Sequence, residues 1–483
     1  MQSSAREIGP SRTPRTLLAY LSVASDWQRL KALQHVQRRP SLGVQYLMAT
    51  LKNAGYPFRY RDQMVEDFDL EDLVEEVNEG KYDVVGMHAN VIYYKKVCDY
   101  ARALKERTSA KVLIGGPGAE LGKMYIDAGA DAVCLGEAEP RLTAILDALT
   151  GRGALGDIRG LWYRDESGQA VQTSPAPQIQ DLNTLPIPYR PPELVPLYGE
   201  EANPVSRRPM VSIMASRGCP FKCSFCSSHE VWQAKVRTRS TDHVLAEVED
   251  VLSKWPTAYF TFVDDIFGQS ATWVEEFCTK VIGWGLPFKW MCILHPLSFT
   301  KHRAKLIPMM KKAGCTTISF GAQSSTPAVL ENIRRYAREP KELAECIRLC
   351  KENDILVVIT YIFGLPGDTR ETLETNLRFA LETRPHMVDF HPLGVIPGTH
   401  IERAWKGKTI TQLTQDEIEQ ACAQAFRRYY LRPAVAWNLF KIIAKNDPRL
   451  LMRQVRAVKQ VLTMMRPQQE FIDPISATQA SRA

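Results

Sequence analysis

Between residues 15 and 150 the apolar positions switch repeatedly between two spacings. "RTLLAYLSV" and "YDVVGMHA" are short, nearly continuous apolar runs, the pattern of strands buried on both faces. "LGVQYLMATLKNAGY" and "DLEDLVEEVNEG" instead place apolar residues three and four apart and close on Gly55 and Gly80, as helices do. "AKVLIGGPG" and "ADAVCLGEA" add two more strands, with helical stretches between them. This alternation predicts a parallel, doubly wound (Rossmann-like) sheet whose ligand edge lies at the strand ends. The loop from His88 to Tyr94, the turn Gly115-Gly116-Pro117-Gly118 and the pair Gly136-Glu137 fall on that edge. The glycines there serve either close approach to a ligand or the tight turns that any such sheet needs.

The periodicity then stops. "SPAPQIQDLNTLPIPYRPPELVPLYG" is rich in Pro and reads as a linker over 172–209. A second alternating region begins with "MVSIMAS" and continues through "TAYFTFVDD", "FKWMCIL", "CTTISFGAQSS", "ILVVITYIFGLPG" and "HMVDFHPLGVIPGT". Helical stretches such as "TDHVLAEVEDVLSKW" and "PKELAECIRLCKEND" separate these strands. About six such units predict an open or partial (β/α)6 barrel whose working groups gather where strands end. The chain is therefore expected to have a flexible start (1–14), a doubly wound domain (15–171), the linker, a barrel (210–400) and a helical C-terminal region (401–483).

Composition narrows the class. With 483 residues, 45% hydrophobic and 24% charged, the chain is an ordinary globular one but too long for a single core. No stretch approaches the roughly 18 apolar residues that span a bilayer, and no signal-peptide pattern opens the chain, so a soluble cytoplasmic protein is expected. The net charge of +7 is concentrated near the C-terminus: between Ala421 and Arg466 ten basic residues face a single acid, Asp447. A basic helical segment carrying Trp437 and Phe440 suits peripheral contact with the inner face of an anionic membrane. The same pattern suits a packed apolar face with solvated charges, and Tyr429 and Tyr430 read as core. No nucleic-acid-binding motif accompanies the charge, and no nucleic acid partner is expected.

Eleven cysteines without a secretory signal read as reduced thiols and metal ligands. Cys278, Cys292, Cys315, Cys346 and Cys350 lie in apolar periodic segments, as small buried hydrophobes would. Cys219, Cys223 and Cys226 are different, being crowded into "SRGCPFKCSFCSS" after an apolar run. Three thiolates can hold three irons of a 4Fe-4S cube and leave the fourth iron open, whereas a structural zinc takes four ligands and would need His229 or a distant cysteine.

The C-x3-C-x2-C spacing resembles the radical S-adenosylmethionine (SAM) superfamily, as do "FVDDIF" (262–267), "SFGAQSS" (319–325) and "IFGLPGDTRET" (362–372), which follow in the family's order. The resemblance implies that Cys219, Cys223 and Cys226 ligate a 4Fe-4S cluster whose open iron is chelated by SAM. Reduction then yields a 5'-deoxyadenosyl radical that abstracts hydrogen from an unactivated carbon. It further implies Phe225 near the adenine, Asp264 and Asp265 at the methionine amino group, Gln323 and Ser324 near the ribose and carboxylate, and the Gly364–Pro366–Gly367 turn against the adenine. Gln323 departs from a common Glu and carries no charge, and the two aspartates could alternatively cap a helix.

The N-terminal region is similar to the cobalamin-binding domain of one subclass of these enzymes. That resemblance implies cobalamin held by His88, Gly115, Gly116, Gly118, Gly136 and Glu137. The D-x-H-x-x-G motif is missing, since neither His35 nor His88 has an Asp two residues before it. Together these resemblances imply a C-methyltransferase of a lipid, tetrapyrrole or secondary metabolite, or a cyclase, ring-contraction enzyme or dehydratase on the same scaffold, with an iron-sulfur or corrinoid sensor as the non-enzymatic alternative. They also imply an electron donor such as flavodoxin or ferredoxin. His391, in "DFHPLG", is the catalytic acid-base candidate, ahead of His295, Glu230 and Tyr361.

Overall fold

The computed structural model describes residues 13–22, 39–199, 209–285, 288–336, 339–433, 435 and 437. Two compact units divide the chain, one built mainly from residues 40–180 and the other from 195 onward.

The first unit is a seven-stranded sheet in the order β2-β1-β3-β4-β5-β6-β7. β1 (Thr16–Tyr20), β2 (Phe58–Asp62), β3 (Val84–His88), β4 (Lys111–Gly115) and β5 (Ala132–Cys134) are parallel, as the alternation predicts. Two features were not legible. "FRYRD" forms β2 because it lies on the edge of the sheet, where a strand needs only partial burial. β6 (Leu161–Arg164) and β7 (Ala170–Gln172) extend the opposite edge as an antiparallel pair. The core joins Leu17, Val85, Val112, Ile114 and Val133 to Leu73, Val77, Val97 and Leu104 from the helices.

The second unit is a six-stranded parallel sheet in the order β15-β14-β13-β12-β11-β8. Its strands are β8 (Met210–Ile213), β11 (Tyr259–Phe262), β12 (Lys289–Leu294), β13 (Cys315–Gln323), β14 (Leu356–Phe363) and β15 (Met387–Pro392). It stays open, because β8 and β15 are edges that do not pair. A small antiparallel ladder, β9 (Ser216–Arg217) with β10 (Arg237–Thr238), follows β8.

Helices cover the outer face of this sheet and bury Val244, Val248, Phe277, Leu306, Ile347 and Leu377 against Trp290, Ile318, Ile359 and Val388. Cys278, Cys292, Cys315, Cys346 and Cys350 are all in that core, as expected. The inner face is not filled in this way. β14 alternates strictly, with Val357, Ile359, Tyr361 and Phe363 buried outward and Leu356, Val358, Thr360 and Ile362 half-buried inward.

The helix Gln415–Tyr430 closes the outer face at β15. Tyr429 donates to the Pro385 carbonyl, and the Tyr430 hydroxyl bonds both the N–H and the carbonyl of Val388 at 2.9 Å. Both tyrosines are core, as expected, and this part of the basic region packs its apolar face on the barrel. The remainder of that region, from 438 on, lies outside the described residues, as do His35 and most of the first fourteen. No helix among the described residues is long and apolar enough to cross a membrane.

Candidate functional site

The cysteine loop leaves the end of β8 through Gly218, whose φ of +100° and 2.0 Å approach of a would-be Cβ to the Lys235 carbonyl exclude any side chain there. Two carboxylates from the end of β11 hold this exit. Asp264, 2% exposed, accepts from the Ala215 N–H at 3.0 Å and the Ser216 hydroxyl at 2.6 Å. Asp265 accepts from the Gly218 N–H at 3.2 Å. Burial pushes both carboxyls up, Asp264 to about 6, against the opposing pull of those hydrogen bonds. Neither caps a helix, since Ser270 caps the next one. The pair expected at the methionine amino group thus braces the main chain that presents the cysteines.

Cys223 is buried, and Cys219 and Cys226 are half-buried. Burial pushes the Cys219 thiol up to about 12, with smaller contributions from Asp265, Cys226 and Cys223 in that order, so the three sulfurs share one neighbourhood. Cys226 is raised for the same reason. Among the described residues no three His, Cys, Asp or Glu side chains converge on a single ion, and His229 faces Glu230 at 3.2 Å. Three neighbouring sulfurs suit a polynuclear cluster, in which each sulfur has its own iron. Donors already attend the sulfurs: the Ser228 N–H reaches Cys226 Sγ at 3.4 Å, and Arg335 Nη1 reaches Cys223 Sγ at 3.7 Å.

Phe225 packs beside Val329, Leu330, Ile333 and Leu365, which brings it next to the Gly364–Gly367 turn, two elements expected at the adenine. Gly364 and Gly367 have φ of +91° and +89°. Asp368 holds the turn by accepting from the Gly364 and Leu365 N–H groups at 3.0 and 2.9 Å, and Asn332 donates to the Pro366 carbonyl. Ser324 bonds Asn376, which also receives the Ser325 N–H at 2.5 Å. Gln323 sits at a register slip with φ of +66°, and its Oε1 has no partner among the described residues.

Sequence reasoning missed Asn376 and Arg335 and read Asp368 only as part of a motif. Asn376 had a signal, an amide on the apolar stripe of Leu373, Leu377 and Ala380. Of the acid-base candidates, His391 is exposed at the end of β15, level with Ile362. Tyr361 is instead core, bonded to Ser325 at 2.9 Å and stacked on Phe390, because its strand position points outward. Glu230 is paired with Arg403 and His229.

At the edge of the first sheet, the His88 Nδ1 lies 2.9 Å from the Tyr93 hydroxyl, and its ring lies 4.7 Å from that of Tyr20. Burial lowers it to about 4, so the imidazole is neutral near pH 7. Gly116 and Gly118 are required by packing: a Cβ would meet the Ala89 carbonyl at 2.9 Å and the Asn90 backbone at 2.8 Å. Above Gly136 a Cβ would meet nothing within 4 Å. Arg141 clamps that turn by donating to the carbonyls of Leu135 and Glu137 at 2.8 Å. The Glu137 carboxylate is engaged by the Ile179 N–H at 2.7 Å, so it shapes the edge. Small, rigid backbone and a neutral imidazole fit a large, flat ligand with polar edges.

Residues 213–380 match the model of the radical SAM superfamily, and residues 36–146 match that of the B12 binding domain. An uncharacterized methyltransferase of Pyrococcus horikoshii is 27% identical over 444 residues, which cover 87% of this chain and 94% of that one. The anaerobic magnesium-protoporphyrin IX monomethyl ester cyclase of Cereibacter sphaeroides is 26% identical over 422 residues, 82% of this chain and 68% of that one. The solved structure of the cobalamin-dependent S-adenosylmethionine radical enzyme OxsB, with aqua-cobalamin and S-adenosylmethionine bound, shares the fold. Its TM-score is 0.69 at 15% identity, covering 93% of this chain and 72% of that one. With its three-cysteine loop on an open parallel barrel and its separate doubly wound sheet, the chain is a radical SAM protein that carries a B12-binding domain.

Proposed function

We propose that this protein is a cobalamin-dependent C-methyltransferase that modifies an unactivated carbon of a small, largely apolar molecule, of the lipid, tetrapyrrole or secondary-metabolite class. The observation that carries the reading is the half-open inner face of the barrel sheet below the cysteine loop. It presents Met291, Ile293, Ser319, Val358, Thr360 and Ile362, a mostly apolar wall with isolated hydroxyls. Such a wall holds an apolar skeleton and orients it through few polar contacts.

When bound, the 4Fe-4S cluster and SAM supply a one-electron reduction and a hydrogen-abstracting radical, and cobalamin supplies a methyl carrier. Cys219, Cys223 and Cys226 would hold the cluster. Asp264 and Asp265 keep the loop in place. Phe225 with Gly364, Pro366 and Gly367 would flank the adenine, and Gln323 and Ser324 would lie near the ribose and carboxylate. His88, Gly115, Gly116, Gly118, Gly136 and Glu137 would form the corrin edge. His391, exposed on a strand of the inner face, would exchange a proton with the substrate. Flavodoxin or ferredoxin would serve as electron donor, and the basic stretch beyond residue 430 would give peripheral contact with an anionic membrane.

Incubating the anaerobic holoenzyme with SAM, a reductant and candidate substrates separates this from a second reading. S-adenosylhomocysteine formed together with 5'-deoxyadenosine supports methyl transfer. 5'-Deoxyadenosine without S-adenosylhomocysteine would instead favour cyclisation, the reading to which the similarity to the magnesium-protoporphyrin ester cyclase lends weight.

A further inference from the structure

His295 follows β12 and is 2% exposed. Its Nδ1 accepts the Leu297 N–H at 3.1 Å, which fixes the neutral ring as the tautomer with its proton on Nε2. That Nε2–H is buried and has no hydrogen-bond partner among the described residues. Burial and then the charge of Arg335 push the ring down to about 2, so it stays neutral across the physiological range. A buried donor without an acceptor is costly, and it persists in a folded protein where an acceptor arrives with a ligand.

The surroundings say where that acceptor lies. The imidazole stacks on Phe221 with ring centres 3.9 Å apart, and Phe221 sits between Cys219 and Cys223. Arg335, whose charge His295 feels, reaches both Cys223 Sγ and the Gly321 carbonyl. A neutral N–H in the field of a guanidinium that itself reaches a cysteine sulfur favours a negatively charged acceptor.

The loop that carries His295 is rigid. Arg303 is buried, donates to the Pro296 carbonyl at 2.6 Å and is held by Glu342 at 2.7 Å. Phe299 adopts φ of +57°, a conformation that a side-chain-bearing residue keeps only where its surroundings impose it.

We propose that His295 is a cofactor-binding residue whose Nε2–H donates to the methionine carboxylate of SAM, the molecule's one anionic group. The inference rests on the radical SAM reading and adds a contact outside the motifs that carried it.

Two variants of the cluster-loaded protein test it, by equilibrium dialysis of SAM alongside iron content. His295→Asn keeps an acceptor for the Leu297 N–H but places nothing at the Nε2 position. His295→Gln keeps an N–H there. SAM affinity should fall about ten- to a hundredfold in His295→Asn, the size of one hydrogen bond to a charged acceptor, and stay within about threefold of wild type in His295→Gln. Iron content should match wild type in both. Unchanged affinity in His295→Asn would overturn the inference, as would equal losses in both variants, which would mean that ring shape matters and the donor does not. Wild-type protein that carries iron but binds no SAM would overturn the radical SAM reading itself.

Discussion

The two sheets of this protein are both parallel and both present a working edge at their strand ends, yet they treat their faces differently. In the first, β1 and β3 are buried at almost every position, because helices cover both sides. In the second, β14 alternates buried and half-buried along its whole length, because helices cover one side only. A sheet filled on both faces can offer a ligand only its edge, which suits a flat cofactor laid across Gly116, Gly118 and Gly136. A sheet with one face half-open can take a molecule into its concave side, beneath a loop of cysteines. Cofactor storage and substrate chemistry thus follow from how many faces of a sheet are covered.

That division can be broken by separating the two sites. Cys223→Ala should abolish the iron-dependent brown absorbance and SAM cleavage while leaving corrinoid content within about twofold, since the first sheet and the loop belong to different compact units. Loss of both cofactors together, by iron assay and absorbance, would mean that the sheets are not independent.

The converse is Gly116→Val. Its φ of +104° and the 2.9 Å approach to the Ala89 carbonyl should cost corrinoid affinity about tenfold or more, from strain of the usual size for a forced backbone. Iron content should not move.

A third test concerns the brace under the cysteine loop. Burial raises Asp264 to about 6, above its value in an unfolded chain, so its contribution to stability is complete below about pH 4 and is lost as pH rises through about 6. Asn does not titrate. In urea unfolding of the apoprotein, the stability of wild type relative to Asp264→Asn should therefore decline by about 2 kcal/mol between pH 4 and pH 7. A difference independent of pH would show that the carboxylate is not desolvated. Smallest is Tyr430→Phe, which removes one hydroxyl from the outer face of β15 and should cost about 1 kcal/mol in the same assay without changing either cofactor.

How much was legible in the sequence depended on the kind of contact. Periodicity revealed both sheets because burial repeats along a strand, and it failed for β2 and for the β6–β7 pair because edge strands need little burial. The three cysteines were legible because cluster chemistry dictates their number. Asp264 and Asp265 were visible as a pair, but their hydrogen bonds to Ala215, Ser216 and Gly218 were not, since those partners lie nearly fifty residues away. Asn376 and Arg335 were hidden for the same reason: each positions a backbone group or a sulfur brought near only by folding. His295 stood among the weaker candidates because sequence reveals neither a fixed tautomer nor a missing partner.

One cluster and one corrinoid on two separate sheets fix a stoichiometry that can be measured. Protein expressed with hydroxocobalamin and purified without oxygen should carry about four irons, about four sulfides and about one cobalamin per chain. About four irons with no cobalamin would contradict the methyl-carrier role of the first sheet and shift the chemistry to a radical rearrangement or dehydration.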